Sequence, residues 1–71
     1  MDKLLKTLEK HFVADTNLKK YMAENNCDYS HPLPSNLTRL VTYHYNRASD
    51  MMDKLNIHGE EKRNLLSKYS V

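Results

Sequence analysis

Tryptophan is absent from this chain, and cysteine and glycine occur once each in 71 residues. Proline occurs twice, both times within Ser30-His31-Pro32-Leu33-Pro34. Each scarcity excludes something. A single cysteine, Cys27, forbids an internal disulfide and fits a reducing compartment. With so few breakers outside one short stretch, and no alternating apolar pattern of useful length, helices are expected and strands are not. No long apolar run occurs, so neither a secretory leader nor a membrane span is expected, and the cytoplasm is the expected location. Asn36-Leu37-Thr38 matches the glycosylation sequon, which carries no weight in that compartment.

A large excess of one charge is missing too. Eleven basic residues face nine acidic ones, for a net charge of +2. The pI of 8.7 lies below the value of about 9 that marks a nucleic-acid-binding domain. Apolar residues make up 39% of the chain, which is lean for its size. Five of the six aromatic residues are Tyr, and Met occurs four times. A core of Leu, Met and Tyr is adaptable rather than rigidly specified. A chain this short allows one domain, residues 1–71, and small cores are commonly reinforced by disulfides, a metal or self-association. With the disulfide closed off, self-association as a homodimer is the expectation.

The pattern that is present is helical. Leu37, Val41, His44, Ala48, Met51 and Leu55 are spaced four, three, four, three and four apart. That spacing is one face of a helix and also the seam of a helix packed along another. The fold class expected is all-α, a small compact bundle of three to four helices at about 2–13, 16–25, 35–55 and 60–69. Leu4, Leu5, Leu8 and Phe12 form one stripe, and Leu18, Tyr21 and Met22 another. Asp15 interrupts them and, with Thr16, suits a helix N-cap, so a break is expected there, with a single bent helix as the alternative. Residues 26–34 form a loop whose Tyr29 and Leu33 are expected to tuck against the core. Ser35 or Asn36 is expected to cap the long helix, and residues 56–59 to form a turn. The last helix has Glu60 and Glu61 in its first turn and Lys68 in its last, as the helix dipole favours. The expected core comprises Leu8, Phe12, Leu37, Val41, Ala48, Leu55 and Leu66.

Candidate sites are few. His44 sits mid-seam between Tyr43 and Tyr45, and is read either as a pH-sensitive, partner-reading group or as a core-edge histidine. Arg39, Tyr43 and Arg47 are four apart and share one helix face. Arg and Tyr are enriched at interfaces, so this row is either a partner-binding surface or a solvated face with cation–π contacts. Asp50 and Asp53 lack any Ser/His/Asp set or Gly-rich loop beside them. No enzyme activity or small-molecule substrate is expected, and Asp50 is expected to pair with Lys54. Cys27 and His31 are too few to hold zinc, so no metal or other cofactor is expected. Lys3, Lys6 and Lys10 beside Leu4, Leu5, Leu8 and Phe12 would suit a membrane surface, but an ordinary bundle helix is preferred.

Two functions remain. The first is a small regulatory protein that acts by protein–protein interaction through Arg39, Tyr43, His44 and Arg47. The second is a DNA-binding transcription regulator with residues 37–55 and 60–69 as a helix-turn-helix. Glu60 and Glu61 oppose the second, because a recognition helix meets DNA with its N-terminal residues.

Overall fold

The computed structural model describes residues 2–70. They form three α-helices and, among the described residues, no strand: α1 (Asp2–Glu24), α2 (Ser35–Lys54) and α3 (Gly59–Lys68). No helix among them is long and apolar enough to cross a membrane. α1 and α2 pair along their length as an antiparallel hairpin, and α3 packs at one end of it.

The first 23 helical residues are continuous, and the expected break at Asp15 is absent. The reason lies in the buried row Leu4, Leu8, His11, Asp15, Leu18 and Met22. These positions are spaced four, three, four, three and four apart, the same seam period as in α2. Asp15 is thus an inward seam position rather than a cap. It is buried, and Lys19 one turn later reaches its Oδ1 at 3.3 Å. Pairing offsets the cost of burying a carboxylate.

Asparagine does the work at helix ends that glycine usually does. Asn26 and Asn56 take the left-handed conformation, with φ of 52° and 59°. After α1, Cys27 N–H donates to the Met22 carbonyl at 2.9 Å. After α2, Ile57 N–H donates to the Met52 carbonyl at 2.8 Å, and Asn56 N–H to Asp53 at 3.2 Å. This is the Schellman closure, completed at α2 by burial of Ile57 in the same cluster as Met52. The glycine, Gly59, opens α3 with φ +65° and open space around it, so conformation and not room is what it supplies. At the start of α2 the structure departs from expectation. Ser35 lies inside the helix and the N-cap position is Pro34, with no side-chain cap. The Pro34 carbonyl accepts from Leu37 and Thr38 N–H.

The main core cluster is Leu4, Leu8, Ala48, Met52, Ile57 and Leu66. It lies where all three helices meet. Leu8, Ala48 and Leu66 are therefore core, as expected, but Phe12 and Leu55 are exposed, at 42% and 47%. Leu37 and Val41 are half-buried. Coverage explains the difference. α1 is about 34 Å long and α3 about 15 Å, at 1.5 Å per residue, so most of the hairpin has no third helix. The radius of gyration, 13.0 Å, exceeds the roughly 11 Å of a compact chain this long. At the end of α2, Met52 rather than Leu55 faces the core, and Leu55 borders a surface depression with Lys3 and Leu4.

A polar tie fastens the last helix. His11 is buried, and its Nδ1 lies 3.0 Å from the Tyr69 carbonyl oxygen. A carbonyl only accepts, so Nδ1 carries the proton. The His11 ring also meets Tyr45, with centroids 5.6 Å apart and a 56° tilt.

Candidate functional site

α3 takes one flank of the hairpin, where Tyr45 of α2 faces Gly59, Lys62 and Leu66. The opposite flank is bare. There α1 presents Lys6, Glu9, Lys10, Val13 and Asn17, and α2 presents Leu40 and His44, around a groove of about 420 Å³. Val13 is 57% exposed and Leu40 48%. The helical period places each set on one edge of its helix: Lys6, Lys10, Val13 and Asn17 are four, three and four apart.

Three of the four sequence candidates meet on this side. Arg47 Nη1 donates to Tyr43 Oη at 3.2 Å, and its guanidinium lies 5.6 Å from the Tyr43 ring centroid. The Tyr43 and His44 rings meet edge-on at 5.1 Å. Arg39 stands apart. It borders a shallow surface depression with Ser35, Thr38, Thr42 and Tyr43 and, among the described residues, has no ion pair. His44 is half-buried at the groove wall. Burial, then the charges of Lys10, His11 and Arg47, hold its imidazole below the ordinary value of 6.5. Burial disfavours the charged form, and the neighbouring cations repel it.

The residues missed from the sequence are those of α1. Lys6 and Lys10 were legible only as the polar side of a surface helix, and Val13 and Leu40 only as stray apolar residues. The four-three-four run from Lys6 to Asn17 was the available signal, but pairing it with Leu40 and His44 requires the register of the hairpin.

The remaining candidates resolve into local contacts. Asp53, not Asp50, is engaged at the end of α2, by an ion pair with Lys62 at 2.7 Å and by His58 Nδ1 at 3.5 Å. Among the described residues, Asp50 and Lys54 form no ion pair, although both border one surface depression. Lys62 and His58 hold the Asp53 carboxyl below the ordinary carboxylate value, the Lys62 hydrogen bond contributing most. In the loop, Ser30 and His31 both bond Asp28 Oδ1. The Ser30 hydroxyl chiefly, then its backbone N–H and His31, lower the Asp28 pKa. Tyr29 does not tuck inward. It is 65% exposed, and the Lys19 ammonium lies 5.3 Å from its ring centroid. Tyr29, then Asp15, raise the Lys19 pKa against the opposing effect of burial. Among the described residues, no three His, Cys, Asp or Glu side chains are placed to hold a metal ion.

No protein-family model, curated protein or solved structure matches this chain.

Proposed function

We propose that the protein is a small regulator that works by binding another protein, with Tyr43, His44 and Arg47 as the centre of the contact. The observation that carries this reading is the bare flank of the hairpin. Tyr43 and Leu40 are about half exposed there, beside an arginine already held in place by the Tyr43 hydroxyl. An aromatic and an arginine fixed relative to each other lose little side-chain entropy on binding, and these residue types dominate binding hot spots.

Arg39 joins the contact at its edge. The protein is also proposed to self-associate as a homodimer, through a surface other than this flank. Two copies of the flank would set Lys6, Lys10 and Arg47 against one another, and like charges across an interface oppose association. Leu5 and Phe12 are exposed on the other edge of α1 and supply apolar surface for a second copy.

A helix-turn-helix use of α2 and α3 is the weaker reading. Lys62, in the first half of α3, is engaged by Asp53, and Glu60 and Glu61 precede it. Those carboxylates would meet phosphate where a recognition helix enters the groove.

The test is capture from the native host, wild type against the Arg39→Ala/Tyr43→Ala/Arg47→Ala variant, with mass spectrometry of what is retained. A specific protein held by the wild type and lost by the variant is the expected result. Equal retention by both reduces the row to a solvated face and removes this reading.

A further inference from the structure

The groove between α1 and α2 has a definite chemistry. Its floor is Val13, Ala14 and Leu40, and its rim carries Lys6 and Lys10. Arg47 lies one turn beyond His44 on the same side of α2. From Lys6 to Asn17 the groove follows α1 for about 16 Å, or roughly three helical turns. On the other flank, α3 packs at one end of the hairpin, sets Leu66 into the core and pairs Lys62 with Asp53.

We propose that the bare groove seats an acidic amphipathic helix of the partner protein, with apolar side chains on Val13 and Leu40 and carboxylates against Lys6, Lys10 and Arg47. This rests on the interaction reading above and names the chemistry of the partner. Charge complementarity selects the occupant. Among the described residues, Glu9 is the only carboxylate lining the groove, so a basic helix, or the same flank of a second copy, is repelled. The apolar floor selects protein over nucleic acid, since a phosphate backbone would cover Val13 and Leu40 without any apolar group to place on them. His44 adds to the argument. Burial first, then Lys10, His11 and Arg47, oppose its protonation, and the carboxylates of a guest helix would offset those three charges.

The test uses the purified full chain as bait for a displayed library of random peptides, followed by affinity measurement with the enriched peptides. Enrichment of sequences with Asp or Glu flanking apolar residues at helical spacing is expected. Leu40→Asp should weaken these peptides by about 10-fold or more, and Lys6→Glu/Lys10→Glu/Arg47→Glu by about 100-fold. Lys6, Lys10 and Arg47 are exposed and Leu40 is 48% exposed, so both variants should keep the wild-type helical circular dichroism and melting. If either variant fails to fold, Leu40→Ser and the single Lys10→Glu change take its place. Peptides without carboxylates, acidic peptides indifferent to the groove variants, or no enrichment at all would overturn the groove assignment. The role of Tyr43 and Arg47 would still stand or fall by the host capture. A short mixed-sequence DNA duplex is the second probe. DNA binding lost by the charge-reversed variant but kept by Leu40→Asp would reassign the groove to nucleic acid and overturn the proposal.

Discussion

At the residue scale, Met52 and Leu55 show how one turn of helix separates core from surface. Met52 is wholly buried and Leu55 nearly half exposed. Met52→Ala should cost about 2–5 kcal/mol, because the cavity cannot collapse between three helices. Leu55→Ala should cost less than about 1 kcal/mol. Urea denaturation followed by circular dichroism measures both, and equal losses would contradict this core. His44 yields a second expectation. Its folded-state pKa lies below 6.5, so the folded protein binds fewer protons here than the unfolded chain. Its contribution is therefore fully present above 6.5 and erodes as pH falls from 6.5 through the folded value. Lys10 and His11 face it from α1 and Arg47 from α2. An NMR titration should place His44 below 6.5, and Lys10→Ala should move it upward; a midpoint at or above 6.5 contradicts the geometry.

At the scale of elements, the helix ends depend on Asn26 and Asn56, and α3 depends on His11. Asn tolerates the left-handed conformation better than Ala does, and Gly better than either. Asn56→Ala should thus destabilise the protein by about 1 kcal/mol, while Asn56→Gly should leave it unchanged or slightly more stable. The order of the two melting temperatures is the readout, and Ala above Gly would show that the left-handed turn does not form. His11→Ala leaves the Tyr69 carbonyl without its donor and opens space beneath Tyr45. A loss of about 1–3 kcal/mol is expected, with faster amide exchange in α3 while α1 residues 14–22 keep their protection. Uniform exchange changes would mean that α3 does not open on its own.

At the scale of the whole molecule, an elongated hairpin with a three-helix knot at one end leaves apolar surface that folding alone does not cover. Leu5 and Phe12 lie on one edge of α1, Val13 on the other. Sedimentation equilibrium across micromolar concentrations should report a dimer, shifted toward monomer by Phe12→Ser. A monomer at every concentration, with a melting temperature independent of concentration, would remove the dimer.

The sequence by itself determined the helical class and the helix ends near residues 25, 55 and 69, but not that Asp2–Glu24 is one helix. Scarce glycine and proline, the loop at 26–34, the turn at 56–59 and the four-three spacing of Leu37 to Ala48 act over a few residues, within reach of local backbone physics. The all-α class and the burial of Leu8, Ala48 and Leu66 were legible on those grounds. The tertiary structure decided what local patterns leave open. Asp15 reads as a break only until Leu4, Leu8, His11, Leu18 and Met22 are seen to share its face. Phe12 and Leu55 read as core because hydrophobicity says that a residue favours burial, not whether another helix is there to bury it. The groove of Lys10, Val13, Leu40 and His44 is distant in sequence and exists only through hairpin register. Which flank stays bare was settled by a helix of ten residues, long enough to close one end of the hairpin and too short to cover the rest.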